Sequence, residues 1–202
     1  MREPYWGKTK EKTKSDNLDS NNDNNQITAI DNHIYFYSEV ERSKMFELNK
    51  AIRELDIHLQ KHSLSMGIPL PYIYLHINSY GGSIFAGLST LDTIRNTSCE
   101  VITIIEGCAA SAGTMISVVG KERWIHRHSY MLIHQLSSSS WGKYSELVDD
   151  MENNKKLMEM INKLYKEYTK VPVSKLEEIL KHDLWWNAEK CLEYGLVDKI
   201  LD

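Results

Sequence analysis

The sequence predicts an α/β protein in which helices pack against a central sheet. Apolar runs of strand length alternate with segments whose apolar residues recur every three or four positions, and this strand–helix cycle occurs twice between residues 72 and 119. The chain has 202 residues, 42% of them hydrophobic, which is enough for one sizeable core. We therefore expect a single folded domain, residues 31–202.

A polar tail precedes this domain. Residues 1–30 combine Lys, Ser, Asn and Asp with almost no aliphatic side chains, so they cannot bury enough apolar surface to offset the entropy of ordering. We expect this tail to be disordered.

Apolar periodicity places the elements along the domain. Predicted strands cover residues 34–37, 72–77, 101–105 and 196–201, with further short strands between residues 121 and 133. Predicted helices cover residues 45–59, 84–94, 115–119, 143–170 and 174–180, and another begins at Ala188.

The helix predicted at residues 143–170 has about seven turns, which is long for a globular domain. Its apolar stripe consists of Leu147, Met151, Leu157, Met160, Ile161 and Leu164. We expect this stripe to pack on the helix's own domain, and we expect Val148 and Tyr165 to extend the apolar surface toward another subunit.

Composition excludes several classes of function. The formal net charge of -4 gives no basic surface for nucleic acid, and the three cysteines lack the spacing of a disulfide framework or a zinc site. No apolar run approaches the roughly 20 residues that span a bilayer, and the N-terminus lacks the apolar core of a secretory signal. We expect a cytoplasmic protein without a nucleic-acid or membrane partner.

Ser111 is the candidate nucleophile. It lies in the string Gly-Cys-Ala-Ala-Ser-Ala-Gly at residues 107–113, where a predicted buried strand gives way to a helix and small neighbours let a substrate carbonyl approach. The alternative is a packing turn in which Ser111 caps the helix. The string differs from the GxSxG elbow of the α/β hydrolases.

A second turn, Asn-Ser-Tyr-Gly-Gly-Ser at residues 78–83, also follows a strand and opens a helix. Its backbone N–H groups could stabilise an oxyanion. A phosphate cradle is disfavoured because neither GxxxxGK[ST] nor GxGxxG is present. A turn that needs its two glycines for backbone reasons alone is the other alternative.

His134 is the candidate general base, because it follows the apolar strand at residues 130–133 and projects from the edge of the core. A structural histidine at a strand end is the alternative. Asp183 precedes a Leu-Trp-Trp anchor, and a carboxylate held there can accept the imidazole N–H and fix its tautomer.

Together these strings resemble the ClpP family of serine peptidases, from about His33 to the C-terminus. The family's Asn-Ser-Pro-Gly-Gly, Gly-x-Ala-Ala-Ser-x-Gly, Met-Ile-His-Gln and Asp-x₄-Ala-x-Glu-Ala-x₂-Tyr-Gly-Leu-Val-Asp strings are similar to residues 78–82, 107–113, 131–135 and 183–198. The resemblance implies the ClpP/crotonase-like fold, with repeated β-β-α units and a long handle helix at residues 143–170.

The resemblance also implies roles for individual residues. Ser111, His134 and Asp183 would form a catalytic triad, the N–H groups of Gly82 and Ala112 an oxyanion hole, and Gly81, Gln135 and Leu136 would contact substrate. No metal or organic cofactor is implied.

The activity implied is that of a serine endopeptidase acting on unfolded proteins or short peptides inside two stacked heptameric rings, a tetradecamer, with an AAA+ unfoldase as partner. Two departures stand out: Tyr80 replaces the proline of the glycine turn, and His76 stands where an apolar or aromatic residue would help to form the unfoldase docking pocket. The alternatives are a catalytically silent ring subunit and an acyl-CoA hydratase or isomerase of the crotonase type.

Overall fold

The structure, a computed structural model, describes residues 27–202. The strands are β1 (Ile27–Ile30), β2 (His33–Tyr37), β3 (Ile73–Ser79), β4 (Val101–Ala110), β5 (Glu122–His126), β6 (Tyr130–Leu132), β7 (Trp186–Asn187) and β8 (Lys199–Leu201). The helices are α1 (Arg42–Met66), α2 (Ile84–Arg95), α3 (Ala112–Ser117), α4 (Tyr144–Tyr168), α5 (Val173–Leu180) and α6 (Ala188–Glu193). The predicted α/β class is confirmed.

One mixed sheet runs through the domain in the order β1-β2-β3-β4-β5-β8. Strand β1 is antiparallel to β2, whereas the pairs β2–β3, β3–β4, β4–β5 and β5–β8 are parallel. The ten-residue strand β4 pairs through its first half with β5 and through its last residues with β6. Parallel neighbours require crossover connections, and α1 and α2 supply those between β2, β3 and β4.

The core lies between the sheet and the helices. Alternate strand residues such as Ile34, Phe36, Leu75 and Ile77 are fully buried and belong to one apolar cluster with residues of α1 and α3. This alternation follows from the two-residue period of a strand, which sends successive side chains to opposite faces. None of the helices within residues 27–202 combines the length and the apolar character needed to cross a membrane.

The structure differs from the predicted element bounds at both ends of the first unit. Residues 27–30, assigned from the sequence to the polar tail, form β1 because they pair with β2 from Ile27 opposite Phe36 onward. The predicted tail otherwise lies outside the described residues. Helix α1 continues to Met66 and ends at Gly67, whose φ of 64° is that of a left-handed cap.

The handle helix predicted at residues 143–170 is α4, and its two halves differ in burial. Ile161, Leu164 and Tyr165 are buried, whereas Leu147 and Met151 are exposed, Met151 by 70%. The prediction that Tyr165 faces another subunit was therefore wrong, and so was the prediction that Leu147 and Met151 pack on the helix's own domain. The reason is that the domain underlies only the C-terminal half of α4, so position along the helix decides burial as much as the stripe does.

Candidate active site

Ser111 occupies a sharp turn between β4 and α3. Its φ of 55° and ψ of -126° lie in a region that non-glycine residues rarely adopt, at an order-of-magnitude cost of about 1–3 kcal/mol. Its N–H donates to the Leu132 carbonyl at 2.9 Å, and its own carbonyl accepts from the Thr114 N–H at 3.0 Å. The Ser111 hydroxyl makes no capping bond to α3, so the interpretation of this residue as a helix cap is wrong.

His134 lies beside this turn because the Ser111–Leu132 hydrogen bond joins the turn to the end of β6, two residues before the histidine. Both side chains line one cavity of about 390 Å³. The imidazole Nδ1 is 3.5 Å from the Asp183 Oδ1, an ion-pair distance longer than a good hydrogen bond. The structure thus brings Ser111, His134 and Asp183 together at one end of the sheet.

Asp183 is the most exposed member of this group, with 65% of its side chain accessible to solvent. The Gln135 N–H donates to the Leu180 carbonyl at 2.6 Å, which ties the end of α5 to the residue after His134. The antiparallel pairing of β6 with β7, Met131 opposite Trp186, holds the segment after Asp183 in place.

The electrostatics favour a neutral His134. Burial lowers the pKa of His134 below its ordinary value of 6.5, and the negative charge of Asp183 opposes this shift only in part. A neutral imidazole has a free lone pair, so His134 can accept a proton near neutral pH.

The glycine turn packs directly against the nucleophile. Gly81 has a φ of 92°, and a Cβ atom there would lie 2.6 Å from both the Ala110 carbonyl oxygen and the Ser111 Cβ. Both main-chain polar groups of Gly81 bond within the protein: its N–H donates to the Ser79 Oγ at 3.1 Å, and its carbonyl accepts from the Val40 N–H at 2.7 Å. Gly81, predicted from the resemblance to contact substrate, therefore supplies space for this close approach.

Gly82 and Ala112 line the same cavity as Ser111. The bridge between Val40 and Gly82 uses the Gly81 carbonyl and the Ser83 N–H, so it leaves the Gly82 N–H out of the pairing. Ala112 is the first residue of α3, and its N–H has no carbonyl partner within its own helix. These are the two donors that the sequence predicted for an oxyanion hole.

The remaining walls of the cavity combine polar and apolar side chains. Gln135 and Leu136, predicted to contact substrate, both line it, together with Met115, Ile161 and Tyr165. A neighbouring cavity of about 640 Å³ shares His134, Gln135 and Leu136 and reaches Asp183.

Sequence reasoning missed an aromatic contact over this cavity. The rings of Tyr80 and Trp185 meet edge to face with centroids 6.2 Å apart, which joins the glycine turn to the segment that carries Asp183. The signal in the sequence was the tyrosine at the position where the family has proline.

A second polar network, outside the cavity that holds Ser111, surrounds His76 on β3. His76 Nδ1 lies 2.7 Å from Glu106 Oε1, His76 Nε2 lies 2.8 Å from His33 Nδ1, and the Tyr37 hydroxyl donates to Glu106. Burial raises the pKa of Glu106, but the hydrogen bonds from Tyr37 and His76 outweigh it and bring the pKa below its usual value. No group of three or more His, Cys, Asp or Glu within residues 27–202 is arranged to hold a metal ion.

Comparison with known proteins identifies relatives of the chain. The model of the Clp protease family matches residues 25–202. The chain is 36% identical over 131 residues to the ATP-dependent Clp protease proteolytic subunit of Chaetosphaeridium globosum, covering 63% of this chain and 65% of the relative. It is 36% identical over 132 residues to the ATP-dependent Clp protease proteolytic subunit 3 of Synechococcus sp. (strain CC9605), covering 64% and 66%. The chain thus spans just under two thirds of the length of these curated relatives, and the resemblance drawn from the four strings is confirmed.

Proposed function

Because the chain belongs to the Clp protease family, we propose that it is a serine endopeptidase with Ser111 as nucleophile, His134 as general base and Asp183 as the residue that orients the histidine. One observation carries the proposal. Ser111 stands in a strained turn, with its hydroxyl uncommitted to α3, in the same cavity as a partly buried imidazole that faces a carboxylate. A serine that is held at positive φ in a strained turn between a strand and a helix is typical of catalytic nucleophiles.

The chemistry follows from which ring nitrogen faces which partner. Since His134 Nδ1 faces Asp183, Nε2 is the nitrogen left to accept the Ser111 proton. As that proton moves to Nε2, the Ser111 Oγ attacks the scissile carbonyl, and the new imidazolium is stabilised by the Asp183 carboxylate. The proton then passes to the leaving amine, and a water activated by the same base hydrolyses the acyl-enzyme.

The N–H groups of Gly82 and Ala112 are assigned to the oxyanion of the tetrahedral intermediate. They belong to two separate turns that are pressed together at Gly81, so their spacing is set by backbone contact and does not depend on a mobile side chain. Donors fixed before the reaction stabilise developing charge without a reorganisation cost.

The substrate class follows from the cavity walls. Met115, Ile161 and Leu136 present apolar surface beside Ser111, which favours an apolar side chain next to the scissile bond. Unfolded chains and short peptides offer such side chains in an accessible, extended form.

We extend the proposal to assembly. The outer half of α4 leaves Leu147, Val148 and Met151 exposed, an apolar surface of the kind that monomers seldom keep. Self-association into rings, in the stacked heptameric arrangement that the sequence resemblance implied, would cover this surface and enclose the active sites. An AAA+ unfoldase would supply chains to such a chamber, although His76 stands where the family has the apolar or aromatic residue of the docking pocket.

Assembly is tested by light scattering on wild type and Met151→Glu. Met151 is exposed in the isolated chain, so the variant should fold normally but lose its oligomeric state. Asn153→Glu introduces the same charge at another exposed position of α4 and should assemble like the wild type. A monomeric wild type with full activity would overturn the assembly proposal.

Catalysis is tested by labelling with a fluorophosphonate probe, followed by mass spectrometry of the labelled peptide. We expect one phosphonyl adduct on Ser111, no adduct in Ser111→Ala, and loss of peptide hydrolysis in that variant by several orders of magnitude. An enzyme of the crotonase type, or a silent subunit, would give no adduct at Ser111.

A further inference from the structure

On the premise of the peptidase function above, we propose that Tyr165 is a positioning residue, which acts through Thr114 to aim the Ala112 N–H of the oxyanion hole. Tyr165 stands on the buried half of α4 and is 1% exposed. Its hydroxyl lies 2.7 Å from the Thr114 Oγ1, and the Thr114 Oγ1 donates to the Ser111 carbonyl at 2.6 Å. Neither residue has a role in the triad chemistry itself.

The direction of these two hydrogen bonds is fixed. A threonine hydroxyl carries a single proton, and the carbonyl oxygen of Ser111 can only accept. The Thr114 proton therefore goes to Ser111, and the Tyr165 hydroxyl must donate to the Thr114 Oγ1. Burial raises the pKa of Tyr165 to about 12, so its hydroxyl keeps the donated proton throughout the working pH range.

The hydrogen bonds from Tyr165 to Thr114 and from Thr114 to Ser111 fix the orientation of the Ser111–Ala112 peptide plane. The carbonyl of Ser111 and the N–H of Ala112 belong to the same trans peptide unit and point in opposite directions. Holding the carbonyl oxygen on the Thr114 side thus turns the N–H of Ala112 away from it. Ala112 and Gly82 line the same cavity, so we assign this orientation to the oxyanion hole. The ψ of Ser111, -126°, sets this orientation.

Such a restraint is needed because the turn is strained. The rare φ and ψ angles of Ser111 persist only if several contacts hold the backbone in place. Thr114 supplies two of these contacts, from its N–H and its hydroxyl, and Tyr165 locks the rotamer of that hydroxyl from a different helix. Loss of either hydroxyl should let the Ser111–Ala112 peptide rotate and weaken the oxyanion hole.

The test uses variants that keep shape and remove one hydroxyl each. Tyr165→Phe keeps the ring in the cavity wall, and Thr114→Val keeps the branched side chain. Thr103→Val is the matched control: the Thr103 Oγ1 is buried and donates to a carbonyl at the other end of α3, that of Ser117, at 2.7 Å. It removes the same kind of bond without touching Ser111.

We expect Thr114→Val to lower kcat for a short fluorogenic peptide about 10- to 100-fold, and Tyr165→Phe about 3- to 10-fold, with KM nearly unchanged. The double variant should lose no more than Thr114→Val alone, because the chain is already broken. Thr103→Val should lower the melting temperature by about as much as Thr114→Val but keep the wild-type kcat. The fluorophosphonate labelling rate of Ser111 should follow kcat.

Two results would overturn the role of Tyr165 and leave the proposed peptidase function standing. One is labelling of wild type and Tyr165→Phe at equal rates, and the other is a loss of kcat in Thr103→Val as large as in Tyr165→Phe. A wild type that is not labelled at Ser111 would remove the proposed function, and the inference with it.

Discussion

Replacing Gly81 by alanine should inactivate the site through a clash that can be worked out from the structure. The new Cβ would lie 2.6 Å from the Ala110 carbonyl oxygen, 2.6 Å from the Ser111 Cβ and 3.0 Å from the Ala112 nitrogen. Relief of the first two contacts to an ordinary 3.4 Å requires a shift of about 0.8 Å. All three neighbours belong to the nucleophile turn, so the shift displaces either Ser111 or an oxyanion donor.

The expected magnitude follows from that displacement. A misplacement of about 1 Å can lower an enzymatic rate about 100-fold, and loss of one oxyanion donor costs about 10²–10³-fold in kcat. We therefore expect kcat/KM of Gly81→Ala to fall at least about 100-fold. The positive φ of 92° adds about 1–2 kcal/mol of backbone strain, which in a chain of this length corresponds to a melting temperature lower by roughly 2–8 °C.

The assay measures hydrolysis of a fluorogenic peptide together with thermal unfolding. Gly67→Ala is the matched control, because Gly67 also has a positive φ, 64°, but a Cβ there would meet nothing within 4 Å. It should show the backbone penalty in its melting temperature while its activity stays at the wild-type level. Activity of Gly81→Ala within about threefold of wild type would refute the proposed geometry of the turn.

Two further predictions concern pH and stability. Because burial lowers the pKa of His134 and the protonated imidazole cannot accept a proton, activity should fall with decreasing pH at a midpoint below 6.5, and Asp183→Asn, which removes the opposing charge, should move the midpoint lower still. A midpoint above 6.5 would contradict this. Arg123→Ala should lower the free energy of unfolding by about 2–4 kcal/mol in denaturant titrations, because its largely buried guanidinium binds Asp198 and backbone carbonyls. Arg127→Ala should change that free energy much less, because the ion pairs of Arg127 are exposed to solvent. Equal losses in the two variants would contradict the second.

The sequence predicted the segments in which residue type alone constrains the local backbone. The string around Ser111 needs small residues to turn sharply, and the two glycines need positive φ, so both segments were recognisable from residue type alone. Strand β4 was recognisable for a similar reason, since a buried parallel strand is a near-continuous apolar run, as at residues 101–105.

Contacts between distant segments were beyond the same reasoning. Tyr165 and Thr114 are 51 positions apart, and helical periodicity says only that Tyr165 lies near an apolar stripe. The partners of His76 come from two other strands, one of which contributes Glu106 and the other His33, so their proximity depends on sheet register. The uneven burial of α4 has the same origin, because a stripe of constant period carries no information on where the domain beneath it ends.

The topology of the sheet explains why one member of the proposed triad is held less firmly than the others. Parallel strands β3, β4 and β6 end at the same edge, and each delivers one segment there: the glycine turn, Ser111 and His134 in turn. Asp183 arrives differently, from the exposed segment between α5 and the short antiparallel strand β7. Its position therefore depends on the two-residue pairing of β7 with β6, the bond from Gln135 to Leu180, and the Tyr80–Trp185 contact. The 3.5 Å separation between His134 Nδ1 and Asp183 Oδ1, longer than a good hydrogen bond, agrees with this looser attachment of the carboxylate.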